Sequence, residues 1–144
     1  MFPLRVLIVD SNIGFLESAA HLLQLQPCVQ FVSYAVSASD ALDQVPLFNP
    51  NLVLVSWNLV DSTGLLLTQT LKQGPHPPRV VILSLIDLPI YHTVAKQAGA
   101  DALICTIDWS DQLFKLLTAF DQPTVNLAVP AVPSPFEQTD QVKR

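Results

Sequence analysis

Five short apolar runs punctuate the chain, at Leu4–Asp10, Val29–Ala35, Asn51–Trp57, Arg79–Leu85 and Asp101–Thr106. In three of them the tetrads VLIV, LVLV and VVIL contain no polar position. A strand with one wet face alternates, whereas a strand covered on both faces does not, so these runs predict a buried parallel sheet. Between them, apolar residues return at the three- and four-residue intervals of a helix. Ile13, Leu16, Ala20 and Leu23 form the first such stripe, which stops near Pro27. Ala38, Ala41, Leu42 and Val45 form the second, opened by Ser37 as N-cap and expected to end at Pro46. The third opens at Gly64, turns Leu67 and Leu71 inward, and is stopped by Gly74-Pro75. In the fourth, Ile90, Val94 and Ala98 recur on the inward face and Gly99 closes the helix. The fifth starts near Asp108 and carries Leu113, Leu116, Leu117 and Phe120.

Strand followed by helix, five times over, predicts an α/β fold: a doubly wound (βα)5 sandwich around a five-stranded parallel sheet. Right-handed crossovers place helices on both faces. Ligands and chemistry in such folds gather at the carboxyl ends of the strands, near the point where strand order reverses. That rule selects Asp10-Ser11, Ser56-Trp57-Asn58, Ser84 and Thr106. The alternation occupies a domain at residues 1–121. Residues 122–144, with Pro123, Pro130, Pro133 and Pro135, read as a Pro-containing tail, mostly disordered, with docking through Val125, Leu127 and Phe136 as the alternative.

Composition narrows the function. Half of the 144 residues are hydrophobic and 13% are charged, against about 25% charged in an average soluble domain. The formal charge is -5 and no basic run exists, which argues against nucleic acid as a partner. No apolar stretch reaches the roughly 18 residues of a membrane span, and Met1–Arg5 leads straight into a strand rather than a signal peptide. Cys28 and Cys105 match no metal or redox spacing and read as two buried reduced thiols of a cytoplasmic protein.

The runs RVLIVDSN, PNLVLVSWNLVDSTGLLL, VVILSL and AKQAGADALICTID, in this order, resemble the response-regulator receiver domain, the phosphoacceptor module of two-component signalling. The resemblance covers residues 4–121 and implies a flavodoxin-like topology. It also marks departures. Receivers carry two adjacent acids after the first strand, where this chain has Asp10 and Ser11. The phosphoacceptor aspartate corresponds to Ser56, and the lysine ending the fifth strand, usually followed by a cis proline, corresponds to Thr106-Ile107. Ser84 matches the switch hydroxyl. Without that proline an ordinary trans bond is expected.

These losses fall on the same chemistry. A serine hydroxyl is a weak nucleophile unless a base takes its proton, and no His or Glu adjoins Ser56. Phosphoryl transfer also needs Mg²⁺ held by carboxylates and a cation on the equatorial oxygens. Asp10 alone, even with help from Asp61 or Asp87 at the same edge, makes a poor magnesium site. The bland assignment is a neutral, hydrogen-bonded cluster of Asp10, Ser11, Ser56, Ser84 and Thr106. No catalysis, cofactor or metal is therefore expected. His21, His76 and His92 lack ligand spacing and read as solvated or capping residues, and no G-x-G-x-x-G follows the first strand.

One feature asks for more than packing. Leu88, Pro89, Ile90 and Tyr91, then Leu103 and Ile104, then Trp109, Phe114 and Leu117 are expected on an exposed side poor in charge. In receivers the fourth helix, fifth strand and fifth helix form the docking and dimer face, and a large apolar patch marks an interaction site. The chain thus reads as a phosphorylation-independent pseudo-receiver acting through protein–protein contacts. Its expected partners are a signalling kinase or regulator, or a second copy through Ile90, Tyr91, Leu103, Trp109 and Phe114. A small-molecule sensor using the vacated pocket is the alternative.

Overall fold

A computed structural model describes residues 3–120 of the chain. The elements alternate throughout: β1 (Leu4–Val9), α1 (Ile13–Gln24), β2 (Val29–Ala35), α2 (Ala38–Phe48), β3 (Leu52–Ser56), α3 (Gly64–Leu71), β4 (Arg79–Ser84), α4 (Pro89–Gln97), β5 (Ala102–Cys105) and α5 (Trp109–Phe120). The five strands are parallel in the order β2-β1-β3-β4-β5. This is the doubly wound, flavodoxin-like topology expected from the sequence. The order reverses between β1 and β3, so their carboxyl ends frame the switch point. The tail assignment for 122–144 lies outside the described residues.

The continuously apolar strands sit where that pattern requires. Val6 and Ile8 of β1, Leu52 and Leu54 of β3, and Val81 and Leu83 of β4 pack with α1 and α5 on one face. Leu7, Val9, Val53, Val55, Val80 and Ile82 pack with α2, α3 and α4 on the other. Covering both faces is what removes polar positions from these strands.

Three helix faces differ from the expected ones. Ile13 is exposed in the first turn of α1, and Ala19 joins Leu16, Ala20 and Leu23 on the buried face. α2 does not end at Pro46 but runs through it to Phe48, where Asn49 closes the helix in the left-handed conformation. The support comes from β1, where the Arg5 guanidinium donates to Phe48 O (2.9 and 2.6 Å) and Asn49 O (3.3 Å). It also lies over the Phe31 and Phe48 rings, with Leu42 left exposed. In α4 the inward residues are His92, Ala95 and Ala98, while Ile90 points to solvent.

The amino-terminal edge of the sheet is closed by side chains that bind backbone. Asn51 accepts from Arg5 N (2.8 Å) and donates to Pro3 O (3.1 Å). Asp101 accepts from Val80 N at 2.8 Å and pairs with Lys72 at 2.7 Å, and Lys72 also donates to Pro78 O. Each satisfies a main-chain group at an element end that no ladder reaches.

Candidate functional site at the carboxyl edge

Asp10 and Ser56 each follow the last residues paired between β1 and β3, Val9 and Val55. Ser84 ends β4 opposite Cys105, and Thr106 N donates to Ser84 O at 2.9 Å. The sheet thereby brings Asp10, Ser11, Ser56, Ser84 and Thr106 to one edge, but their side chains do not form the expected cluster. Asp10 accepts from Asn12 N at 2.9 Å. Burial pushes its carboxyl pKa up, and the backbone N–H groups of Asn12 and Ser11 pull the other way. Ser11 turns to the neighbouring loop, where its Oγ accepts from Val60 N at 2.9 Å. Ser84, buried, accepts from Ile86 N (3.0 Å) and donates to Ile86 O (2.9 Å), closing a turn on itself. Among the described residues the hydroxyls of Ser56 and Thr106 make no hydrogen bond.

The two acids proposed to assist Asp10 are engaged elsewhere. Asp61 accepts from Ala38 N (2.9 Å) and Ser39 N (3.0 Å) at the start of α2, and those bonds hold its carboxyl below the usual carboxylate range. Asp87 pairs with His92 at 2.5 Å. That pairing corrects the assignment of His92 as solvated: it is buried in α4, whereas His21 and His76 are exposed. Among the described residues no three His, Cys, Asp or Glu side chains group to hold a metal ion. Cys28 and Cys105 are free and half-buried rather than fully enclosed. Among the described residues no peptide bond is cis, Thr106–Ile107 included.

Between Ser56 and Gly64 the chain folds tightly. Gly64 N donates to Trp57 O at 2.8 Å, Asn58 bridges Thr63, and Leu59 N reaches Ser62 O. A Cβ at Gly64 would stand 2.5 Å from Ser56 O, so the backbone of α3 rests directly on the end of β3. Sequence reading placed Gly64 at a helix start without this reason, although glycine inside a helix is costly enough to demand one.

The expected docking face is largely used up by packing. Leu103 is only 7% exposed and Ile104 and Leu117 are also buried, because β5 contributes to both cores and α5 covers one of them. Tyr91 packs against Trp57 with ring centroids 4.7 Å apart and planes tilted by 43°, and Trp109 meets Phe15 edge-on at 5.8 Å. Phe114 is half-buried against the α1–α5 core. Of the five residues assigned to that face, Ile90 alone is strongly exposed, at 60%. Apart from Leu47 (86%) near the end of α2, the largest exposures lie on the loops of the carboxyl edge instead: Ile107 (80%), Val60 (75%) and Leu85 (71%), with Ile13, Ile86 and Leu88 beside them.

The sequence profile of the response regulator receiver domain matches residues 6–107. A protein-glutamate methylesterase/protein-glutamine glutaminase of Desulfotalea psychrophila is 32% identical over 84 residues, 58% of this chain and 23% of that protein. The transcriptional regulatory protein DegU of Brevibacillus brevis is 25% identical over 101 residues, 70% of this chain and 43% of that one. The circadian input-output histidine kinase CikA of Synechococcus elongatus is 38% identical over 88 residues, 58% of this chain and 11% of that one. The chain thus spans less than half the length of each of these relatives. Among solved structures, the signal receiver domain of NarL from Mycobacterium tuberculosis superposes with a TM-score of 0.73 at 22% identity, covering 82% of this chain and 95% of that one. A CheY-like receiver domain protein from Methanospirillum hungatei gives 0.71 at 24%, covering 81% and 93%.

Proposed function

The chain belongs to the response regulator receiver domain family of two-component signalling, and on that premise we propose that it is a pseudo-receiver, a protein–protein interaction module that works without phosphorylation. One observation carries the reading: at the switch point, where an acyl phosphate needs a carboxylate nucleophile, β3 ends in the hydroxyl of Ser56. The supporting groups are equally unsuited to the chemistry. Asp61 and Asp87 are committed to α2 and His92. Thr106 ends the β5 side with a neutral hydroxyl where the transferring phosphoryl calls for a cation. Asp10, half-buried with a raised pKa, is left as a single carboxylate for Mg²⁺.

A receiver changes shape because phosphorylation binds one of two conformers better. Here any change of state is driven by a partner that distinguishes two conformers by its own contacts. Related segments occur in a transcriptional regulator and a histidine kinase, which supports a kinase or regulator as the partner class. Amide NMR of the full chain, titrated with Mg²⁺ and then beryllofluoride, tests the reading. Silence at Asp10, Ser56, Ser84 and Thr106 is expected, and saturable shifts there overturn it.

The free hydroxyls of Ser56 and Thr106 favour a second reading, an uncharged polar ligand held at the same edge. Native mass spectrometry of gently purified protein distinguishes it by a retained adduct.

A further inference from the structure

We propose that the carboxyl rim of the sheet is a docking surface for a basic, amphipathic segment of another protein, presenting Lys or Arg around an apolar centre. The inference rests on the reading of the chain as an interaction module and names its surface and partner chemistry.

Singly exposed apolar residues are ordinary. Here they come from four loops at one edge. β4 and β5 stay in register to their ends, with Ser84 opposite Cys105 and Thr106 N bonded to Ser84 O, so Leu85 and Ile86 emerge beside Thr106 and Ile107. The bond from Val60 N to Ser11 Oγ likewise ties the loop of Val60 to the one that leads into Ile13. Ile13, Val60, Leu85, Ile86 and Ile107 are all exposed. Leu88 adds a second sign. It is the N-cap of α4, and no side chain caps that helix, whereas α1, α2 and α3 use Asn12, Ser37 and Thr63. An apolar N-cap forgoes the stabilisation that a capping side chain supplies, and Leu88 stands in solvent.

Charge identifies the occupant. Asp10, Asp40, Asp61, Asp87, Asp108 and Asp111 all lie in the loops and first helical turns of this edge. No Lys or Arg occurs in residues 10–12, 36–40, 57–63, 85–90 or 106–111. Arg5, Lys72, Arg79 and Lys96 lie toward the opposite edge, and Lys115 is midway along α5. Parallel β/α architecture explains part of this, because every helix N-terminus faces this edge and favours an acid. An acid at a helix start brings a negative group with no basic side chain beside it in these segments, so the apolar side chains are set among acids, with His92 paired to Asp87 the one exception. A second copy would bring like charge against like charge, and an anionic membrane the same. A basic, amphipathic segment meets both features.

The test is an NMR titration of the labelled full chain with an amphipathic leucine–lysine helical peptide and its leucine–glutamate counterpart. The lysine peptide is expected to shift residues 85–88 and 106–108 together with Ile13 and Val60, more weakly as salt rises, and the glutamate peptide to shift none. Leu85→Ser with Ile107→Ser should weaken that binding about tenfold or more, with an unchanged thermal midpoint showing that the variant folds. Equal binding of the two peptides, shifts on another face, or undiminished binding by the double variant would overturn the proposal. So would self-association or capture by vesicles through the same residues. The beryllofluoride titration judges the pseudo-receiver reading separately, so failure of one is distinct from failure of the other.

Discussion

At the amino-terminal edge of the sheet, Arg5, Asn51, Lys72 and Asp101 bind main-chain groups of neighbouring elements. At the carboxyl edge Ser56 and Thr106 leave their hydroxyls unengaged among the described residues, and apolar side chains crown the loops. The strands run through both edges alike, so the difference lies in what the loops are asked to do. One edge fastens the fold by satisfying element ends. The other does so through Ser11 and Asp61 but also carries groups whose removal should cost the fold little, as expected of residues kept for contact with something else.

Arg5→Ala should break the first half of that comparison most visibly. It removes the charge-assisted bonds to Phe48 O and the contacts with the Phe31 and Phe48 rings, and a loss of roughly 2–3 kcal/mol is expected in urea unfolding. A loss below about 0.5 kcal/mol, the level of ordinary surface changes, would show that this edge is not a fastening. Arg5→Lys should recover only part, since one ammonium cannot reproduce the planar fork.

Gly64→Ala sharpens the comparison by locating where the carboxyl edge is rigid. Its Cβ would meet Ser56 O at 2.5 Å, so backbone must move, and about 1–3 kcal/mol of destabilisation is expected by the same measurement. Ser56→Ala and Thr106→Val should then change stability by no more than about 0.5 kcal/mol, because no bond is lost. A larger loss would reveal partners for those hydroxyls and undo the contrast.

The smallest effect is on pH dependence. Burial raises the pKa of Asp10, so the folded chain holds its proton more tightly than the unfolded chain. Asp10 therefore subtracts stability as pH rises from the usual carboxylate pKa through its raised value. Asp61 acts oppositely: its lowered pKa gives a contribution present above the ordinary carboxylate pKa and lost as pH falls through the lowered one. Asp10→Asn should raise the melting temperature at pH 7, with the gain vanishing in acid below the ordinary carboxylate pKa. An equal gain at both pH values would assign it to packing.

The strands were legible in the sequence because two-sided burial writes itself as uninterrupted apolar runs, and each observed strand falls within the expected one. Helix ends were harder where distant residues decide them. Pro46 marks a local stop, but Arg5, far away in sequence, supplies donors that let α2 continue to Phe48. The buried face of α4 was hidden because its key residue is polar: His92 turns inward by pairing with Asp87, which hydropathy cannot register. At the candidate site, the strand-end rule brought the right residues to one edge. It could not say that Ser11, Ser84 and Asp61 would each bind a different backbone segment, since those choices depend on loop geometry. The exposed apolar residues were sought on α4, β5 and α5, but β5 had its side chains claimed by the cores and the exposure moved to the rim.

The loop between β3 and α3 touches more of the molecule than its exposure suggests. Its base is closed by Gly64 N on Trp57 O, its tip donates from Val60 N to Ser11, and Asp61 holds the amides of Ala38 and Ser39. In deuterated solvent the amides of Ala38, Ser39, Val60 and Gly64 should exchange together, slowly for groups so near the surface, because freeing one requires the loop to lift from its neighbours as a unit.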